Sequence, residues 1–594
     1  MTPTIDPRRG DIEDDASSPK RRSMLSLAGS LLVEISIPKL VVAWLLLVVL
    51  PGLMLGLAPI VASIWFGKIS GRIAYSLTEI WSAIFIVFFV GVGWFGGRRV
   101  FQLAERSFWS LNSLAVQPCY TVCREALRHL LSRQSTHKAG RIKGPTLHAT
   151  TAVLSGLIIC MIALLALLLA WPSAHLLSGS TILSAPKRLA IVALANSVVI
   201  VSAYVAAAAL VWAIADATMD PPRDLEEYDV PPDQGHSWRI VHLSDIHAVG
   251  ERFGFRIESG RSGPRGNERL RQLLAQLDAL HAREPLHAIL ITGDMTDAGR
   301  STEWAEFFEA VAQYPSLTEI MLILPGNHDL NIVDRANPAR LDLPTSQNKK
   351  LRKVRMLSAM VAVQGARVRL VDQKGGRLGE SLAAALAPHV GNVVAFADAG
   401  KPRMTNELSE LWNCVFPMVL PPNRDDGLGV ILLNSNADTH FSFTNALGMI
   451  PAEQVRGIAI ASRQYPRACW LIALHHHVVE YPHPAKALSE RIGTALVNGN
   501  WFVRALRFLD GRAVLMHGHR HVDWIGTCCG LRIVSAPSPV MDATDDQDTC
   551  FYLHTLAVGP DRRLRLLPPR RLTVAGQIDT AASGNPIAMK HPST

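Results

Sequence analysis

Five short fragments in the C-terminal half of the chain bring together Asp, Asn and His in an order suited to holding two metal ions. They are Asp245 and His247 in HLSDIHAVG, Asp294 and Asp297 in ITGDMTDAG, Asn327 and His328 in LPGNHDL, His475 in ALHHHVV, and His519 and His521 in MHGHRH. The donors are oxygen and nitrogen without thiolate, a set that suits Mn, Fe, Zn or Co better than a cysteine-rich structural zinc site. Side chains two apart in Asp-x-His and His-x-His point to one side of an extended segment, so one ion can take two ligands from one fragment. A carboxylate such as Asp294 can bridge two cations, and metal pairs about 3.5–4 Å apart are a known device for in-line displacement at phosphorus.

Each fragment ends an apolar run. RIVHLSD, HAILITGD, IMLILPGNHD, WLIALHHH and RAVLMHGH all read as a buried strand, then a small or turn-forming residue, then the polar group. Polar groups at the carboxyl ends of neighbouring strands converge on one crevice, where open α/β sheets place their sites.

The order D-x-H, G-D-x-x-D, G-N-H-D, H and G-H-x-H resembles the calcineurin-like metallophosphoesterase superfamily across about residues 238–556. That resemblance implies an α/β fold, a four-layer αββα sandwich, and a pair of divalent or trivalent metal ions. It implies that Asp245, His247, Asp294 and His521 hold one ion, and that Asp294, Asn327, His475 and His519 hold the other. His328 would stabilise or protonate a phosphoryl oxygen, oriented by Asp297, while a hydroxide bridging the metals attacks phosphorus. In the triplet His475–His477 the first residue follows the apolar run directly and is preferred as ligand, with His476 as the alternative. His242, His281, His287 and His517 match no motif position and read as core or surface histidines. The HLSD, GDMTDAG and GNHD fragments resemble the cyclic-nucleotide and glycerophosphodiester branch. Serine/threonine phosphatases carry Arg before Gly-Asn-His and Glu after it, where this chain has Pro325 and Asp329.

The N-terminal third is of different material. Four apolar stretches, at about 40–66, 73–96, 149–172 and 189–215, each approach or exceed the ~20 residues that cross a bilayer as helix. They predict an all-α transmembrane region of four helices ahead of the catalytic domain. Basic residues precede the first stretch (Arg8, Arg9, Lys20, Arg21, Arg22) and crowd the second loop from Arg98 to Lys143. The first loop offers Lys68 and Arg72, and the third Lys187 and Arg188. This asymmetry places both termini and the catalytic domain in the cytoplasm of a multi-pass protein of a cell inner membrane. The eight cysteines include no C-x-x-C pair, in keeping with a reducing compartment. The net charge of +9 sits largely in the second loop and near Arg562–Arg571, beside membrane spans, so anionic lipid rather than specific nucleic acid is the expected partner.

The boundaries follow from these signals. Residues 1–23 read as disordered, 24–215 as the membrane region, 216–237 as a Pro-rich linker, 238–560 as the catalytic domain, and 561–594 as a basic disordered tail. A stretch at about 330–430, with the basic run Lys349, Lys350, Arg352, Lys353 and Arg355, reads as an insertion that either caps the crevice or forms a solvated helix. The function expected is a membrane-anchored dimetal phosphodiesterase. The alternatives are a lipid-linked pyrophosphatase or phosphomonoesterase at the bilayer surface, and a membrane sensor that has lost turnover.

Overall fold

In a computed structural model of the protein, the described residues are 49–76, 116–135, 144–177, 184–251, 254–257, 263–334, 346–399, 405–439, 442–482, 496–541 and 547–576, with isolated positions between them. They fall into two compact units, one drawn from Ile35–Pro221 and the other from Pro222–Pro484 and Gly493–Thr594.

The first unit is helical: α1 (Leu50–Ser76), α2 (Gln117–Ser135), α3 (Gly144–Ala170) and α4 (Pro186–Ala217). Among the described residues three segments are long and apolar enough to cross a membrane, at Leu50–Gly67, Thr146–Ser173 and Pro186–Ala217. They coincide with three of the four expected stretches; the fourth, 73–96, lies outside the described residues from 77 onward. Leu157, Met161, Ile162, Leu165, Leu168 and Leu169 of α3 are exposed, an arrangement unfavourable in water and natural in lipid. Small residues let the helices approach: a Cβ on Gly156 would lie 2.3 Å from the Cβ of Ala213, and one on Gly56 would lie 1.7 Å from the Ala193 carbonyl. Among the described residues, buried polar groups of this unit find partners. Asn196 Nδ2 donates to the Gly56 and His175 carbonyls, and Arg124 pairs with Asp216 at 2.7 Å.

The second unit contains two mixed sheets. The smaller runs β14 (Leu564–Leu566), β13 (Thr549–Val558), β2 (His236–Leu243), β3 (Ala288–Ile291), β4 (Met321–Ile323), with β15 (Arg570–Val574) also paired to β13. The larger runs β1 (Arg223–Asp224), β11 (Trp524–Cys528), β12 (Leu531–Ser535), β10 (Ala513–His517), β9 (Cys469–Ala473), β8 (Leu428–Leu432), β7 (Met418–Leu420), β5 (Arg369–Asp372), β6 (Arg377–Ser381). β2, β3 and β4 are mutually parallel, as are β8, β9, β10 and β12. Every residue of β3, β9 and β10 is buried, which is why AILI, CWLIA and AVLMH read as unbroken apolar runs. Both sheets contribute to one apolar core. Helix α5 (Glu268–Arg283) joins it through Leu270, Leu273, Leu274, Leu277 and Leu280, a stripe at helical spacing, and α6 (Ser301–Ala312) joins it through Trp304, Phe307, Ala310 and Val311.

Three boundary expectations change. The Pro-rich linker is partly docked: Arg223 and Asp224 form β1 on the edge of the larger sheet, and Asp229 pairs with Arg532 at 2.6 Å. Residues 564–566 and 570–574, expected in a disordered tail, form β14 and β15; their alternation LRL and RRLTV completes the smaller sheet, and charge in the arginines masked it. The stretch read as an insertion supplies a core-packed helix, α8 (Gln347–Gln364), and the strands β5, β6 and β7.

Candidate metal centre

All five fragments leave the carboxyl ends of parallel strands. Asp245 and His247 follow β2, Asp294 and Asp297 follow β3, and Asn327 and His328 follow β4 in the short turn of helix α7 (Asn327–Leu330). His475 follows β9, and His519 and His521 follow β10. The loops are sewn together by main-chain bonds, among them Asp245 N to Gly293 O at 3.1 Å, His247 N to Asp294 O at 2.9 Å and Gly518 N to His475 O at 3.0 Å.

The local backbone is strained where the donors sit. Asp245, His247, Asp294, His519 and His521 have φ of 56°, 48°, 52°, 75° and 51°. Each left-handed non-glycine residue costs on the order of 1 kcal/mol, and such strain concentrates at functional sites. Glycine makes the close approach possible: a Cβ on Gly326 would lie 2.0 Å from Asp294 Oδ1. That is the physical content of the Gly in Gly-Asn-His-Asp.

The donors fall into two sets that share Asp294. In the first, His521 Nε2 lies 3.3 Å and His247 Nε2 3.9 Å from Asp245 Oδ1, and His247 Nε2 lies 3.7 Å from Asp294 Oδ2. In the second, His475 Nε2 lies 3.2 Å from Asp294 Oδ2, 3.0 Å from Asn327 Oδ1 and 3.0 Å from His519 Nδ1. Both predicted sets are therefore brought together, with Asp294 Oδ2 between them. His475 Nδ1 lies 2.8 Å from the Thr292 carbonyl, which can only accept, so Nδ1 carries the proton and the Nε2 lone pair faces the oxygens of Asp294 and Asn327. A cation would satisfy that confrontation.

The rest of the donor set fits cations as well. Asp245 Oδ1 and the Nε2 atoms of His247 and His519 are buried and make no hydrogen bond. Burial opposes the charging of His475, yet the carboxylates of Asp294 and Asp245 outweigh it and push its pKa up to about 9. For Asp294 burial works against ionisation, but His475, His328 and His247 hold its carboxyl well below the usual range. The crevice attracts positive charge strongly enough to bind a proton when no metal is there.

His328 and Asp297 lie beside the first set. His328 N donates to Asp294 Oδ1 at 2.8 Å, and Nδ1 donates to the main-chain carbonyl of Asp297 at 2.7 Å. The Asp297 carboxylate turns elsewhere: Oδ2 accepts from Ile257 N at 2.6 Å, and Oδ1 lies 3.3 Å from His247 Nδ1. Asp297 thus orients His328 through its backbone and His247 through its side chain. His476, the alternative ligand, commits its Nδ1 to Ser435 Oγ at 2.9 Å, while its ring packs 4.4 Å from that of His519.

Several supporting residues carry no motif signal. Ser435, after β8, accepts from the main-chain N of His475 and His476 at 3.2 and 3.1 Å. Ser538, after β12, donates to the Asp245 carbonyl at 2.7 Å. Asp329 accepts from Gly326 N, Thr296 N and Thr296 Oγ1 at 2.9, 3.0 and 2.7 Å, locking the β3 and β4 loops together. The basic run on α8 is neither a solvated face nor a crevice cap at its buried positions. Arg352 Nε donates to the Leu330 carbonyl at 3.0 Å and Arg355 Nη1 to the Gly299 carbonyl at 3.1 Å, stapling the same two loops from behind. His242 is a core histidine, its Nε2 3.1 Å from Thr292 Oγ1.

Residues 239–381 match the family model of calcineurin-like phosphoesterases. No curated protein matches the chain. Similar solved structures include a dimetal phosphatase from Danio rerio, 11% identical, covering 57% of this chain and 99% of that one with a TM-score of 0.32. The NAD nucleotidase of Haemophilus influenzae is 10% identical, covering 58% of this chain and 51% of its own, with a TM-score of 0.30. PhoD is 8% identical, covering 57% and 73%, also with a TM-score of 0.30.

Proposed function

Through residues 239–381 the chain is a calcineurin-like metallophosphoesterase, a metal-dependent phosphoester hydrolase, and from that premise we propose that it cleaves phosphodiesters while anchored in a membrane. The observation that carries the reading is Asp294 Oδ2, which lies between an Asp245–His247–His521 set and an Asn327–His475–His519 set. The family implies two metal ions, and these sets are where Mn, Fe, Zn or Co would be held. Such cations, when bound, supply Lewis-acid stabilisation of developing phosphoryl charge and lower the pKa of a coordinated water from about 15.7 towards 7.

The chain's own residues do the rest. With Nδ1–H of His328 committed to the Asp297 carbonyl, Nε2 is the nitrogen that acts on a phosphoryl oxygen. Asp297 raises the basicity of His247 and fixes its ring. Pro325 and Asp329, in place of the Arg and Glu of serine/threonine phosphatases, support diester over phosphoprotein substrates. The smaller and larger sheets, sharing one core and flanked by helices, are the inner layers of an αββα sandwich.

The three apolar helices support anchoring; with the fourth stretch at 73–96 they make an even number of spans. The basic second loop supports a topology with both termini and the catalytic unit on the cytoplasmic side of a cell inner membrane. The test is a comparison of bis(p-nitrophenyl) phosphate with p-nitrophenyl phosphate as substrates of the detergent-solubilised chain with added Mn. The diester is expected to show the larger kcat/KM; dominant monoester cleavage would overturn the diester reading.

A further inference from the structure

Outside the metal centre, the chain sets two adjacent thiols at one turn. Strands β11 and β12 pair from Trp524↔Ser535 to Cys528↔Leu531, so Cys529 and Gly530 form a two-residue hairpin loop. Both loop residues have positive φ, 53° for Cys529 and 78° for Gly530, as a type I′ turn requires. That turn ordinarily takes Asn-Gly or Gly-Gly, and cysteine is a poor choice at its first position.

The conformation has a chemical consequence. In an extended strand adjacent side chains point to opposite faces, which keeps neighbouring sulfurs apart. The left-handed backbone of Cys529 rotates its side chain towards that of Cys528, and the two Sγ atoms lie 4.0 Å apart. Cys528 is buried and Cys529 is partly exposed, so an oxidant can reach one thiol while the second waits beside it. None of the eight cysteines is in a disulfide.

We infer that Cys528 and Cys529 are a redox-modification site, a vicinal dithiol that hydroperoxide closes reversibly to a disulfide. The thiolate of Cys529 attacks the peroxide O–O bond, giving the sulfenic acid and, after protonation, one water. The Cys528 sulfur then attacks the sulfenic sulfur, expelling the second water. Two thiols and one hydrogen peroxide thus give one disulfide and two waters, and a dithiol reductant reverses the exchange. The turn lies on the hairpin whose outer strand, β11, follows His521 and carries β1 on its free edge. Trp524 Nε1 donates there to Asp224 Oδ1 at 2.8 Å, and Leu225 N to the Ile525 carbonyl at 3.0 Å. The modification therefore falls where the chain arriving from α4 joins the sheet. It does not depend on the phosphoesterase reading.

Trypsin releases residues 521–532, HVDWIGTCCGLR, with both cysteines and no other. The detergent-solubilised full chain is treated with hydrogen peroxide, its remaining thiols are blocked with N-ethylmaleimide under denaturing conditions, and the peptide is weighed. The expected peptide has lost two hydrogen atoms and takes up no maleimide; after dithiothreitol it takes up two. A peptide that carries two maleimides after peroxide, or is found as a sulfinic acid or joined to another cysteine, would overturn the inference. The Cys529→Asn variant, whose new residue suits the turn, is expected to keep its turnover of bis(p-nitrophenyl) phosphate. Its Cys528 should be trapped by dimedone or maleimide, and loss of two hydrogens from that variant's peptide would equally contradict the assignment.

Discussion

The two sheets bring unlike halves to the candidate metal centre. The loops after β2, β3 and β4 of the smaller sheet supply oxygen, from Asp245, Asp294 and Asn327, with a single imidazole, His247. The loops after β9 and β10 of the larger sheet supply imidazole alone, from His475, His519 and His521. The family match, 239–381, covers the oxygen half and stops well before the imidazole half. Neither half is electrostatically complete. Histidines facing Asp245 and Asp294 hold their carboxyls well below the usual range, and His475 is pushed up to about 9 because carboxylates face it. The oxygen half thus carries the negative charge of the candidate centre, while the imidazole half supplies nitrogen donors to both sets, His521 to one and His475 and His519 to the other.

If the oxygen half carries the charge, its shared member should matter most. Asp294→Ala is expected to lower kcat for bis(p-nitrophenyl) phosphate by about 10³-fold or more, since several kcal/mol of charge stabilisation are lost. Near-normal turnover by a folded variant would break the comparison at its centre.

The imidazole half can be sharpened by its ambiguous triplet. His475→Ala should lose most activity in the same assay. His476→Ala, which loses the contact to Ser435 but no donor, should stay within about 10-fold of the parent, the smaller end of supporting-shell effects. Equal losses from both would mean that the geometry of His475 does not decide the ligand.

The smallest effect concerns stability away from the centre. His554 on β13 is buried and makes no hydrogen bond through either ring nitrogen, and burial lowers its pKa to about 4. The folded state keeps it neutral, whereas the unfolded chain takes up a proton below pH ~6.5, so stability falls as pH drops from ~6.5 through about 4. The loss levels off lower still, at about 3 kcal/mol at most for this one group. Urea midpoints of the chain measured across that range should fall with acid, and His554→Leu should flatten the decline.

Much of this was legible from residues. The fragments were readable because each couples a buried parallel strand, an unbroken apolar run, to a small residue and a polar one; this is a pattern of types and spacing. Ser435 and Ser538 were not readable, because a serine after an apolar strand is an ordinary turn residue until the loop it faces is known. The α8 arginines misled in the opposite direction: charge on a helix suggests solvent, yet Arg352 and Arg355 are buried against the Leu330 and Gly299 carbonyls. Strands β1, β14 and β15 were hidden for a related reason, since short edge segments rich in Pro, Asp or Arg owe their pairing to the neighbour they meet and not to their own pattern.

The most direct measurement is the metal content of the detergent-solubilised chain, purified without chelator and equilibrated with Mn, Fe, Zn or Co, by elemental analysis alongside Asp294→Ala. A shared carboxylate predicts two ions per parent chain and a loss felt at both sites in the variant, leaving less than one ion per chain. Two tightly held ions in Asp294→Ala, or none in the parent, would contradict it.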